Sequence, residues 1–269
     1  VAGSLLEQII QAPVLPTVFP LEADTLCAYA EALHAEGYPA LEVLARPLEQ
    51  ALGVMRQVMR SPQRRLIAWG MGTVLTESAA RQAVELQPDF LVSPAFSRRV
   101  LHVAAQAGIP YIPGVRTFQD VQAVLDAFED EGLTVEVLKL CPIEGVTLEY
   151  MRSLSGCFPG IVFCPSGTLP LAEIARWTRL PYLAAPMDSK FVSQELLETR
   201  DVEGIRKHLR MIRRFAESAL ETSLDGDKLD ITSDGKHAVT IQTEVLKPSF
   251  SRARASSTEG AQGEDQEPA

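Results

Sequence analysis

Val135-Glu136-Val137-Leu138-Lys139-Leu140-Cys141-Pro142 is a short apolar run with a lysine near its end and a proline closing it. Aliphatic and β-branched residues dominate, so the run reads as a buried strand. An ammonium that loses its water favours the free amine, the form that attacks a carbonyl. Lys139 is therefore a candidate Schiff-base lysine. The same residues also allow a lysine on the solvent side of an edge strand, and the rest of the chain bears on the choice.

Outward from this run, short apolar segments alternate with stretches of helical periodicity. Strands are expected at 13–19, 40–44, 65–69, 89–93, 111–112, 135–142, 160–163 and 182–184. Helices are expected at 5–10, 22–36, 47–60, from about 76, and at 97–107, 118–131, 147–154, 169–177, 193–199 and 202–220. Gly37 reads as a C-cap, Pro47 as a first-turn residue and Thr76 as part of a helix start. Strands and helices alternating about every 20 to 25 residues imply parallel pairing, and eight such strands close into a (β/α)₈ TIM barrel. A doubly wound open sheet is the alternative. The barrel is preferred because Glu42, Thr73 and Lys139 fall within or just after three different strands, whose C-terminal ends converge on one face in that fold.

Composition places the chain among ordinary globular proteins: 269 residues, 46% hydrophobic and 22% charged. A net charge of −10 argues against nucleic acid, whose phosphates are bound by basic surfaces. Cys27, Cys141, Cys157 and Cys164 lack paired metal-ligand spacing, and three of them lie in or beside apolar runs, so reduced thiols and a cytoplasmic location are expected. The longest apolar run is far short of the roughly 20 residues that span a bilayer, and no export signal is visible, so no membrane partner is expected. His34, His102, His208 and His237 have no ligand spacing, and no metal site is expected. Gly70-Met71-Gly72 lacks the third glycine of a dinucleotide fingerprint. Arg210, Arg213 and Arg214 read as a solvated helix face.

Composition changes near residue 223. Residues 1–222 read as the barrel domain and 223–246 as an appended β-hairpin or a fluctuating arm, with an Asp234-Gly235 turn between alternating segments. Residues 247–269, almost without apolar content, read as a disordered tail.

Six short motifs now stand in order. They are Leu41-Glu42-Val43 with Arg46, Gly70-Met71-Gly72-Thr73-Val74-Leu75, Ser93-Pro94, Ile112-Pro113-Gly114-Val115, Lys139-Leu140-Cys141-Pro142 with Glu144, and Phe163-Cys164-Pro165-Ser166-Gly167. In order and spacing they resemble the 2-keto-3-deoxy-6-phosphogluconate aldolase family, which includes 4-hydroxy-2-oxoglutarate aldolases, over about residues 5 to 200. The resemblance implies a (β/α)₈ barrel, a homotrimer, and metal-independent class I aldol cleavage of a keto-acid substrate to pyruvate and an aldehyde. It implies Lys139 as the Schiff-base lysine, Glu42 as the general acid/base, and Arg46 and Thr73 as holders of the pyruvate carboxylate, with Pro94, Ser166 and Gly167 also lining the substrate site. No cofactor is implied. The chemistry fits these residue types. A protonated imine is an electron sink, a buried carboxylate titrates nearer neutrality, and a guanidinium binds a planar carboxylate through two parallel hydrogen bonds.

The chain also departs from the family it resembles. Members that use phosphorylated sugar acids carry Gly-Gly after strand seven and Gly-Gly-Ser after strand eight to bind phosphate; here stand Gly167-Thr168 and Pro186-Met187-Asp188. Proline has no amide hydrogen and an aspartate repels a dianion, although Ser166 and Gly167 remain available to an anion at a helix start. An aldehyde half that is unphosphorylated, or one that is bound differently, is expected. A second expectation, of a different class, is a barrel that binds a keto acid without cleaving it.

Overall fold

All of the strand ladders run parallel, and alternation along them sorts the apolar residues into two layers. The computed structural model describes residues 4–169, 174, 177, 180 and 182–224. Among these the strands are β1 (Leu15–Val18), β2 (Ala40–Leu44), β3 (Ala68–Gly72), β4 (Phe90–Val92), β5 (Tyr111–Ile112), β6 (Gly114–Val115), β7 (Val137–Leu140), β8 (Val162–Pro165) and β9 (Met187–Asp188). The helices between them are α1 (Leu5–Gln11), α2 (Ala23–Ala35), α3 (Leu48–Val58), α4 (Glu77–Val84), α5 (Arg98–Ala107), α6 (Phe118–Asp130) and α7 (Leu148–Cys157), followed later by Gln194–Glu198 and Val202–Leu224.

One sheet has the order β5-β4-β3-β2-β1-β9 and the other β6-β7-β8. They meet at residues 111–115, where Pro113 separates β5, paired to β4, from β6, paired to β7. Single parallel bridges, Phe163 to Leu183 and Ser166 to Met187, join β8 to the segment ending in β9. The architecture is α/β with a curled parallel sheet.

Strand parity explains the two layers. Leu41 and Val43 on β2, and Leu138 and Leu140 on β7, pack with the helices. Ala40 on β2, Val137 on β7, Phe90 and Val92 on β4 and Cys164 on β8 form the inner layer with Ile9 of α1. Glu42 and Lys139 share the inward parity of Ala40 and Val137.

Side chains cap most helix starts. Ser4 and Thr117 form capping boxes with Glu7 and Asp120, and Thr76, Ser97, Thr147 and Ser193 each accept from an amide three residues on. Pro47 sits one residue earlier than expected, at the N-cap of α3.

Besides the unexpected short strand Gly114–Val115, two expected strands differ from the sequence reading. The third is Ala68–Gly72 rather than 65–69, because 62–65 forms a turn of 3-10 helix and the glycines continue the strand. Gly70 lies against the Phe90 ring and Gly72 against Glu42, where any β-carbon would collide. At the expected eighth strand only Leu183 pairs, and the two-residue strand at that edge is Met187–Asp188.

The arginines of the last helix also depart from the solvated reading. Arg206 and Arg210 both reach Glu36 Oε1, at 2.8 and 2.9 Å, and Arg213 donates to the Glu36 carbonyl at 2.7 Å. The Tyr38 hydroxyl donates to the Leu209 carbonyl at 2.8 Å. These cations gather at the C-terminal end of α2, where the helix dipole favours positive charge; Arg214 is exposed as expected.

Residues 223 and 224 end the last helix, and the remainder of the expected hairpin and the expected tail lie outside the described residues. So does most of the expected helix 169–177, of which Ile174 and Trp177 are described as helical. No described helix is long and apolar enough to cross a membrane.

Candidate active site

β2 and β7 each deliver one charged side chain to the inner layer. Lys139 Nζ lies 3.5 Å from Glu42 Oε1, with side-chain exposures of 6% and 0%. That separation exceeds the roughly 2.7–2.9 Å of a tight charge-assisted hydrogen bond. Glu42 Oε2 is buried without a hydrogen-bond partner, an arrangement that costs about 1–3 kcal/mol. Burial pushes the Glu42 carboxyl above its ordinary range, opposed by the Lys139 ammonium and the Arg46 guanidinium. Space for this carboxylate depends on Gly72: a β-carbon there would lie 1.8 Å from Glu42 Oε1.

The neighbours of Lys139 are neutral thiols. Cys164 faces it in register on β8, and burial raises that thiol to about 12. Cys141 is also raised by burial. A thiol held in its protonated form is a poor nucleophile.

Arg46 and Thr73 follow β2 and β3. Arg46 is exposed, and its guanidinium lies 5.3 Å from the centroid of the Phe19 ring. Ala45 donates to the Gly72 carbonyl at 2.7 Å, which ties the two strand ends together. Thr73 has φ +59°, a left-handed conformation costly for a β-branched residue. The flanking contacts hold it, since Val74 donates to the Val92 carbonyl at 3.1 Å and the Ser93 hydroxyl donates to the Val74 carbonyl. Pro94 packs its carbonyl against Gly114, beside Lys139 in the β6–β7 register.

At the ends of β8 and β9 several backbone amides are already engaged. Ser166 donates its amide to the Leu140 carbonyl at 2.9 Å, and Gly167, at φ +150°, lies against the Glu144 carboxylate. Glu144 Oε1 accepts from Thr168 N at 2.8 Å, and this amide holds its carboxyl below the ordinary range. Asp188 is buried; its Oδ2 accepts from Leu169 N at 3.1 Å and its Oδ1 from Lys190 N at 3.0 Å. Glu144 thus serves the β8 loop rather than a helix start, and Asp188 acts as a backbone acceptor. The reading of residue types did not foresee these two roles or that of Gly72. The signal available was position: each falls at a strand end beside a site residue.

Among the described residues no three His, Cys, Asp or Glu side chains are grouped to hold a metal ion. A curled parallel sheet that brings a buried lysine to a buried carboxylate has the groups that Schiff-base chemistry requires. The comparisons agree. The family described as "Aldolase: KDPG and KHG aldolase" matches residues 5–208. The KHG/KDPG aldolase of Escherichia coli K12 is 27% identical over 199 residues, covering 74% of this chain and 89% of that protein. The 2-dehydro-3-deoxy-phosphogluconate aldolase of Treponema pallidum is 27% identical over 207 residues, covering 75% and 92%. The structure of the 2-keto-3-deoxy-6-phosphogluconate aldolase of Zymomonas mobilis ZM4 with 3-phosphoglycerate superposes with a TM-score of 0.66 at 26% identity, covering 79% of this chain and 96% of that one. The chain belongs to the KDPG and KHG aldolase family, lyases that cleave a keto acid to pyruvate and an aldehyde by class I chemistry.

Proposed function

We propose that Lys139 forms the imine with the 2-keto group of a 2-keto-4-hydroxy or 2-keto-3-deoxy acid and that Glu42 moves the protons. The observation that carries this reading is the buried Lys139–Glu42 pair, loosely coupled and with a carboxylate oxygen left unpartnered. The amine adds to the keto carbon, and water leaves to give a protonated imine. The bond between the third and fourth carbons then breaks, its electron pair enters the imine as an enamine, and Glu42 takes the proton of the fourth-carbon hydroxyl. Protonation of the enamine and hydrolysis release pyruvate and free Lys139. Arg46 and Thr73 hold the pyruvate carboxylate, and Pro94, Ser166 and Gly167 line the remainder.

The same reading takes the sheet as a closed eight-stranded (β/α)₈ barrel, supported by the β1–β9 pairing and the two bridges from β8. It takes the assembly as a homotrimer, on the family likeness, and a cytoplasmic setting, supported by four free thiols. The test is to incubate the protein with pyruvate and borohydride and map the adduct by mass. A reduced adduct on the peptide containing Lys139 is expected; an adduct on a different lysine, or none, would falsify the assignment.

A further inference from the structure

Resting on the aldolase reading above, we propose that the aldehyde-side subsite at the ends of β8 and β9 selects an uncharged, hydroxylated aldehyde half, with Asp188 as its specificity-determining residue. An anionic end, whether phosphate or carboxylate, needs amide hydrogens or cations pointing at it. The register puts this rim beside the lysine: Lys139 faces Cys164, Leu140 faces Pro165, and Ser166 bridges to Met187, the neighbour of Asp188. Four of the amides there are taken. Ser166 N is bonded to Leu140, Thr168 N to Glu144, and Leu169 N and Lys190 N to Asp188. Pro186, just before β9, has no amide hydrogen.

The occupying acceptors are themselves carboxylates, so an incoming anion meets two like charges where it would need donors. Arg116 offsets this in part at Glu144, whose carboxyl is held below its ordinary range by the Thr168 amide first and by this guanidinium as well, which leaves Asp188 as the main carboxylate an anion meets. Arg116, after β6, donates to the Glu144 carbonyl at 2.9 Å, which directs its guanidinium at the Glu144 backbone. Lys190 is the other cation beside the rim, and its side chain is exposed. A hydroxylated, uncharged aldehyde half lacks the repulsion and can donate to the same carboxylate oxygens.

The experiment compares specificity constants for pyruvate release from three probes: 2-keto-3-deoxygluconate, whose aldehyde half is hydroxylated and uncharged, the dicarboxylate 4-hydroxy-2-oxoglutarate, and 2-keto-3-deoxy-6-phosphogluconate. The uncharged-ended probe should lead each of the others by tenfold or more, and a smaller lead or the reverse order overturns the proposal. In Asp188→Asn, where one oxygen still accepts and the amide donates, the ratio of charged to uncharged probe should rise at least tenfold. Should that variant fail to fold, Glu144→Gln on the exposed side of the rim should raise the ratio in the same direction. Added salt should narrow the wild-type ratio only in part, since screening weakens the repulsion from the exposed Glu144 more than that from the buried Asp188. An anionic preference that disappears in Lys190→Ala also overturns the proposal and assigns the anion to that lysine. The borohydride adduct with pyruvate separates the two readings. An adduct with the wrong substrate order defeats the selectivity alone, whereas no adduct and no cleavage of any probe defeats both.

Discussion

Within β2 and β7 a carboxylate and an ammonium face each other across 3.5 Å, and one carboxylate oxygen has no partner. At the ends of β8 and β9, by contrast, both oxygens of Asp188 accept from backbone amides, and Glu144 accepts from a third. Both regions are rich in charge and lie on the same edge of the sheet. The difference lies in what the fold leaves unsatisfied. An unpartnered buried acceptor costs stability and persists where a ligand or a proton completes it, whereas a saturated carboxylate shapes a wall and refuses further acceptors.

The strongest way to break this comparison is Glu42→Gln. Turnover should fall by about 10² to 10⁴, the scale of a general acid/base, and unchanged turnover would move the proton-transfer role elsewhere. Its pH dependence carries a sign. Burial raises the Glu42 carboxyl, so a step that needs the carboxylate speeds up as pH rises through a range above that of ordinary carboxyls. The variant should lose this limb. Stability runs the other way: the folded chain holds this proton more tightly than the unfolded one, so the contribution is full below the unfolded value and is lost as pH rises through the raised folded value. Denaturant titrations of both proteins across acid pH should show a slope of this sign for the wild type and its absence in the variant.

Gly72→Ala tests the same pair through its surroundings. The new β-carbon would lie 1.8 Å from Glu42 Oε1 and displace the carboxylate. We expect turnover to drop about 10²-fold from misplacement and stability to drop by about 1–3 kcal/mol from overpacking. A fully active, normally stable Gly72→Ala would show that the carboxylate has room to spare.

Thr73→Gly sharpens the comparison by separating function from stability. Relief of the left-handed conformation, offset by the entropy of an added glycine, should give a net stabilisation of about 0.5–1 kcal/mol, while KM rises because the hydroxyl is gone. A variant that melts lower than the wild type would mean that the Thr73 side chain supports the fold. The smallest effect is expected far from the rim, at Glu36→Ala. Removing the acceptor shared by Arg206 and Arg210, both more than a third exposed, should cost about 0.3–0.5 kcal/mol after solvent screening, or roughly 1–2 °C in Tm, with unchanged kcat.

What the sequence disclosed follows the reach of its signals. Capping residues act on amides three positions away, so the starts at Thr76, Ser97, Thr117, Thr147 and Ser193 were legible. The strand 40–44 was legible because apolar residues fill it. Gly70-Met71-Gly72 falls outside the expected strand 65–69; its place in β3 depends on Phe90 and Glu42, contacts that local sequence does not contain. Lys139 and Glu42 were visible through family spacing and apolar context. The bonds of Asp188 to Leu169 and Lys190 were not, because the sign of its charge foretells repulsion while its geometry decides which donors it uses up.

The pairing of Leu15 with Met187 also bears on how the protein is made. β1 has β2 on one side and β9 on the other, and these partners leave the ribosome at very different times. Translation at about 5–20 residues per second takes roughly ten to thirty seconds to deliver the second. Through that interval the nascent chain carries an open strand edge, the kind of template on which other chains add. Slowing translation before codon 187 should therefore increase aggregation of the newborn protein, and a chaperone that shields strand edges should restore the yield.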